Sequence, residues 1–151
     1  MVKKEKNNPI NLLVEVNRLL RSKIKEKMDL IGLPFAYRPF MFHLGEKDGI
    51  SQVELVNLTK FKAPTVSLTI KNMINDGLVE VKTKKDDNRV NLIYLTKKGL
   101  DTNLIIEKTF LDFNAHIAEC LNEEEKEILE NLLNKIKDYT KTLGDKNENS
   151  I

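Results

Sequence analysis

Asp87 and Arg89 place a carboxylate two residues from a guanidinium, directly after the lysine pair Lys84 and Lys85. A guanidinium presents a planar fork of donors that suits phosphate and base edges. A nearby carboxylate can hold it in one orientation through a charge-assisted hydrogen bond. Upstream, Lys60 and Lys62 precede Pro64, Thr65, Ser67, Leu68, Lys71 and Asn72. Ammonium groups, short hydroxyls and a side-chain amide are the groups that contact phosphates and base edges. Between Lys60 and Lys98, nine bases stand against four acids, although the whole chain of 151 residues carries a net charge of only +2. A basic middle in a nearly neutral chain has the form of a nucleic-acid footprint. Solvated surface lysines would give the same count, so the elements that carry these residues must decide.

Those elements can be read from apolar spacing and turn residues. Ile10, Leu13, Val16, Leu20, Ile24 and Met28 recur at steps of three and four, which predicts an amphipathic helix closed by Gly32 and Pro34. A short second helix in "FAYRPFMFHL" must begin close to Pro39 or bend there, because proline lacks the amide donor. Ser51 and Glu54 form a capping-box pair that opens a third helix. After a tight connection through "TKFK", a fourth helix carries Pro64 in its first turn and stops at Gly77. Two short helices, a tight turn and a glycine stop make a helix-turn-helix. On a helical wheel, Val66, Ile70, Met73 and Ile74 form the core face of the fourth helix. Pro64, Leu68, Lys71, Asn72 and Asn75 fall opposite, with Thr65 beside them. Leu68 is then either a solitary exposed leucine or an apolar contact for a thymine methyl. Lys60 and Lys62 lie just before the helix, where its free amides would also suit a phosphate.

"LVEVKT" and "VNLIYL" alternate apolar and polar and read as two strands, with "KKDDNR" as their tip. A hairpin after a helix-turn-helix is a wing. At its tip, Lys84 and Lys85 would meet phosphates, and Arg89 has the reach to enter a minor groove. A fifth helix runs from Lys97 to about Cys120, and a sixth starts at the N-cap Asn122. Leu129, Leu132, Ile136, Tyr139 and Leu143 repeat at an average of 3.5 along the sixth, the spacing of a coiled-coil seam. The expected class is therefore mainly α with a small β-hairpin wing.

Residues 51–99 resemble the winged helix of the MarR family of bacterial transcription regulators, through "PTVS", "GLVEV", Asp87-Asn88-Arg89 and "LTKKG". "LNEEEKEILENLLNKI" is similar to the family's last helix. The resemblance implies one MarR-like domain over residues 1–151, with a DNA-binding lobe at 35–98 and a helical dimerisation region at 10–31 and 99–143. The tails, 1–9 and 144–151, would be flexible. It implies a homodimer in which terminal helices interlock, here through Leu13, Leu20, Leu129, Leu132, Ile136 and Tyr139. It also implies double-stranded DNA with a pseudo-palindromic operator as partner. The fourth helix would read the major groove and Arg89, steadied by Asp87, the minor groove. The family often has an arginine where this chain has Leu68.

Many members of the family respond to small aromatic acids or phenols. Tyr37, Arg38, Phe40 and Phe42 are the candidates for such a pocket, with the arginine facing a carboxylate. No cofactor is expected beyond a small aromatic effector. Cys120, the single cysteine, is expected to be a buried structural residue. His116 and Cys120, four apart, would share a helix face, but two ligands do not make a metal site. No nucleophile–base pair or phosphate-binding glycine loop stands out, so an enzyme is not expected. No apolar run is long enough to span a bilayer, and no signal peptide is evident, which fits a cytoplasmic protein. The alternatives are a winged-helix module that binds protein and a metal- or redox-sensing regulator of the same fold. Arg89→Ala is expected to weaken binding to specific DNA strongly while leaving the dimer intact, and an unchanged mobility-shift affinity would remove Arg89 from the interface.

Overall fold

The computed structural model describes residues 8–47, 49–84 and 87–144, with side chains except at 84, 87–89 and 144. Of the tails expected from the sequence, only residues 8, 9 and 144 are among them; the rest lies outside the described residues. Helix α1 spans Pro9–Leu30. The Asn8 side chain caps it by accepting from the Ile10 amide at 2.9 Å, and Pro9 sits where no donor is needed. Ile24 and Met28 are buried, whereas Ile10 and Val16 in the first half of the stripe remain exposed. A 3₁₀ turn over Phe35–Tyr37 leads into α2, Arg38–Glu46, with Pro39 in its first turn. The helix therefore begins one residue before Pro39 and does not bend there.

Strand β1 is only Ile50–Ser51, and α3 follows at Gln52–Thr59. The capping box forms in both directions: the Glu54 amide donates to the Ser51 hydroxyl at 3.2 Å, and the Ser51 amide donates to the Glu54 carboxylate at 2.9 Å. Lys47 lies 2.6 Å from the same carboxylate. Lys47 first, and then the Ser51 bonds, hold the Glu54 carboxyl down at about 2. Helix α3 ends on Lys60, which takes the left-handed conformation at φ 59°.

Helix α4, Ala63–Asn75, buries Val66, Thr69, Ile70 and Met73. It closes at Gly77, where φ is +71°. The Gly77 amide bonds the Ile74 carbonyl and the Leu78 amide bonds the Met73 carbonyl, both at 2.9 Å, which satisfies carbonyls of the last turn. Strands β2, Val79–Lys84, and β3, Asp87–Leu95, form the hairpin. Val79 faces Leu95, and the register holds to Thr83 opposite Asn91, then shifts at Lys84 opposite Asp87. Sequence reading missed β1, which pairs antiparallel with β3 through Ile50 and Ile93 and makes the sheet order β1-β3-β2. Two residues are too few to show alternation.

Helix α5 spans Lys97–Ala118 and α6 spans Glu123–Gly144. Asn122 and Glu125 cap α6 reciprocally, each amide bonding the other side chain at 2.9 Å. The chain divides into two compact units, residues 1–110 and 111–151. The core of the first unit gathers Phe40, Met41, Leu55, Val66, Met73 and Ile93, and also Met28 and Ile106. It thus draws on α1 and α5 as well as on the elements between them.

Thr96 joins the hairpin to α5. Its hydroxyl donates to the Gly77 carbonyl at 2.7 Å and accepts from the Gly99 amide at 3.0 Å. Gly99 lies so close to Leu78 that a Cβ would overlap the Leu78 carbonyl. This close approach explains the glycine that ends "LTKKG". Gly99→Ala is expected to cost about 2 kcal/mol in urea unfolding, although alanine is the better helix former, because overpacking outweighs propensity. A variant as stable as the wild type would show that α5 can move away from Leu78.

Candidate nucleic-acid interface

The buried face of α4 determines what its other face can offer. With Val66, Ile70 and Met73 in the core, Pro64, Thr65, Ser67, Leu68, Lys71 and Asn72 are all exposed along one side. Lys60 and Lys62 are exposed in the turn before them. Lys62 stands at the N-cap position with no side-chain bond to the helix, so the first amides of α4 have no side-chain cap. Leu68 is 60% exposed on this otherwise polar surface.

One assignment on α4 is corrected, and one buried residue was not foreseen. Ile74, expected in the core, is 42% exposed, and Thr69 is buried in its place. Thr69 can be buried because its hydroxyl donates to the Thr65 carbonyl one turn back, at 2.8 Å. Ile74 instead lines a groove of about 300 Å³ between α4 and the sheet, with Ser67, Lys71, Asn75, Val81 and Asn91. Gln52, at the start of α3, lies in the same groove. Sequence reading did not single out Gln52 or Asn91. Neither has a spacing signal of its own, and only the packing of three elements brings them beside Lys71.

Of the wing residues, Lys85 lies outside the described residues, as do the side chains of Lys84, Asp87 and Arg89. The register shift near the tip lies next to them in the backbone. Lower on the hairpin, Thr83 donates to Asn91 at 3.3 Å.

The C-terminal end of α4 is tied to the rest of the lobe through Asp76. The Tyr37 hydroxyl donates to the Asp76 carboxylate at 2.6 Å, and the Lys98 ammonium donates to the Asp76 carbonyl at 2.7 Å. Burial, and then the Asp76 bond, raise the Tyr37 phenol to about 12. Tyr37 therefore keeps its proton, and remains a donor, throughout the neutral range.

Tyr37, Arg38, Phe40 and Phe42 are not brought together around one space. Tyr37 and Phe40 are buried in the core, and Phe42 is exposed beside His43. Arg38 stacks on Phe110, its guanidinium carbon 3.9 Å from the ring centroid. A different cleft, of about 750 Å³, is lined by Arg21, Lys25, Leu33, Phe35, Pro39 and Phe61. It depends on the 3₁₀ turn and on the bend at Gly32, which apolar spacing does not reveal.

Leu129, Leu132 and Tyr139 are exposed, while Leu13, Leu20 and Ile136 are half-buried. Cys120, expected to be buried, is exposed. Helix α5 ends at Ala118, so Cys120 falls in the turn beyond it and no longer shares a helix face with His116. His116 lies 3.2 Å from Glu119 instead.

Two short helices joined by a tight turn, an exposed polar face on the second and a hairpin behind it define a winged helix-turn-helix protein. No family model matches the chain. It is 27% identical to the HTH-type transcriptional regulator BilQ of Clostridium symbiosum (strain WAL-14163) over 112 residues, which cover 74% of this chain and 78% of that protein. A MarR-like protein from Bacillus cereus ATCC 10987 superposes with a TM-score of 0.76 at 25% identity, covering 86% of this chain and 94% of that one. A cysteine-to-serine mutant of MarR from E. coli, complexed with operator DNA, shares the fold with a TM-score of 0.71 at 20% identity, covering 83% and 91%. The chain has the winged-helix fold of these MarR-family structures, and the curated proteins it resembles in sequence are HTH-type transcriptional regulators.

Replacing Lys60 and Lys62 together by alanine is expected to lower the slope of log K against log salt by about 1.8, at 0.9 per lost phosphate contact. Leu68→Ala should leave that slope unchanged. Equal slopes for the double variant and the wild type would place both lysines off the phosphate path.

Proposed function

We propose that this chain is a sequence-specific regulator of transcription that binds double-stranded DNA as a homodimer, and acts as a repressor. The observation that carries the reading is the exposed face of α4. Thr65, Ser67, Lys71 and Asn72 stand out from a helix whose opposite face is core, and Lys60 and Lys62 flank its uncapped start. A helix of this form fits a major groove, with hydroxyls, an amide and an ammonium directed at base edges and phosphates. A protein-binding wing would have no need of lysines grouped at that helix start. By residue type and place in the sequence, Lys84, Lys85, Asp87 and Arg89 of the wing would add phosphate contacts and, through Arg89, a minor-groove contact.

Dimerisation is supported by apolar residues with no cover in the single chain. On α6, Leu129, Leu132, Tyr139 and Leu143 are exposed at coiled-coil spacing, and on α1 Ile10 and Val16 are exposed beside Leu13 and Leu20. Two copies related by a two-fold axis would read a pseudo-palindrome with half-sites about one helical turn apart. A small aromatic acid is the effector that the cleft beside α1 would take. Phe35, Phe61, Leu33 and Pro39 supply apolar walls, and Arg21, over the Phe35 ring, supplies the cation for a carboxylate, since Lys25 already faces Asp29 of the same lining at 3.8 Å.

Selection of genomic fragments by the purified protein tests the reading. The expected result is a pseudo-palindromic site, bound by the wild type and lost when Leu132 and Ile136 are both replaced by glutamate. That variant should run as a monomer in light scattering. Recovery of fragments without a shared site, or a dimer that survives both charges, would overturn it.

A further inference from the structure

The apolar face of α4 holds the helix against the core, but apolar contact has no direction. Val66, Ile70 and Met73 would stay buried if the helix slid or tilted slightly. Thr69, the polar residue on that face, bonds within its own helix. Among the described residues, the helix end makes its directional contacts to other elements at Asp76, through Tyr37 and Lys98, and at the Gly77 carbonyl, through Thr96; the bond to Tyr37 is the one that engages an Asp76 side-chain atom.

Asp76 is not placed there for the sake of the helix. It stands at the C-terminal cap, where the negative end of the helix dipole disfavours a carboxylate. Its partner is held on a stiff platform. The Tyr37 ring is buried, its amide bonds the Pro34 carbonyl at 2.9 Å, and Pro34 and Pro39 restrict the backbone on either side. The hydroxyl thus reaches Asp76 from a fixed point 39 residues away in sequence.

Resting on the DNA-binding reading above, we infer that Tyr37 is a positioning residue for the recognition helix: its hydroxyl bond to Asp76 sets the register and tilt at which α4 presents its outer face. The helix has 13 residues and is about 20 Å long, so a shift at its last turn is carried to Thr65 and Lys71. Hydrogen bonds to base edges fail within a few tenths of an ångström. Attraction to phosphates falls off over about 8–10 Å. Loss of the Tyr37 bond therefore removes discrimination between sequences and spares the phosphate term.

The test uses the full chain with Tyr37→Phe, Asp76→Ala, Asp76→Asn and the Tyr37→Phe/Asp76→Ala double variant. Binding to the selected operator duplex and to a scrambled duplex of equal length is measured over a series of salt concentrations. Tyr37→Phe keeps the ring in the core and should cut the operator-to-scrambled ratio about tenfold, the value of one hydrogen bond to a charged group. The salt slope should not change. Asp76→Ala should lose as much, the double variant no more than either, and Asp76→Asn, which still accepts from the phenol, should keep most of the ratio. A ratio within twofold of wild type for Tyr37→Phe, or additive losses in the double variant, overturns the inference. Amide exchange in the free protein gives a readout independent of DNA. In Tyr37→Phe, the amides of Asp76, Gly77 and Leu78 should exchange about tenfold faster while those of α3 do not change. A wild type that prefers no duplex overturns the regulator reading, and unchanged exchange at those amides overturns the Tyr37 tie by itself.

Discussion

A short helix can offer side chains to a partner only while its other side is held, and in this protein that hold is the burial of Val66, Thr69, Ile70 and Met73. Leu55 of α3, Phe40 of α2 and Ile93 of the central strand complete the same core. Each of those elements is in turn fixed at an end: α3 by the Ser51–Glu54 box, α2 by Pro39 in its first turn, and the sheet by the Ile50–Ile93 pair. The exposed row from Pro64 to Asn72 is the remainder of that packing. Thr69 shows how fully the constraint acts, since a hydroxyl is accepted into the core because the helix itself supplies its partner.

The turn between α3 and α4 shows how chain geometry and charge coincide. Lys60 takes the left-handed conformation that ends α3, and Lys62 takes the extended conformation that starts α4. Glycine would fill the first position with less strain, and serine or aspartate would cap the second better. Both positions carry lysine instead. The local cost falls where a phosphate-facing charge would be useful, which fits a site selected for binding over stability.

The helix order was legible from residue spacing because the helices carry local start or stop signals. Ser51 with Glu54, Asn122 with Glu125, and Gly77 after Asn75 act through bonds between near neighbours, so the chain alone reveals them. The hairpin was legible for the same reason. Strand β1 was not, because its two residues are a strand only through pairing with β3, far along the chain. The exchange of Ile74 for Thr69 was also hidden. A helical wheel sorts residues by angle and cannot say that the sheet leaves a groove open beside Ile74. Cys120 was misplaced by a helix end only two residues earlier than expected.

The candidate DNA surface follows a similar division. Lys60, Lys62, Thr65, Ser67, Leu68, Lys71 and Asn72 could be chosen from sequence because one amphipathic helix and its preceding turn contain them all. The lining of the cleft beside α1 could not. Tyr37, Arg38, Phe40 and Phe42 are neighbours in sequence, but a 3₁₀ turn followed by a helix sends them to the core, to Phe110 and to the surface, while the cleft draws on α1, the turn and Phe61. By itself, then, the sequence determined the helices, their caps, the hairpin and the exposed polar row, since these depend on interactions within a few residues. Tertiary structure alone decided the third strand, the groove beside Ile74, the cleft at Arg21 and the bond from Tyr37 to Asp76. Each of these needs residues from separate elements to meet, and no local pattern encodes where two surfaces will touch.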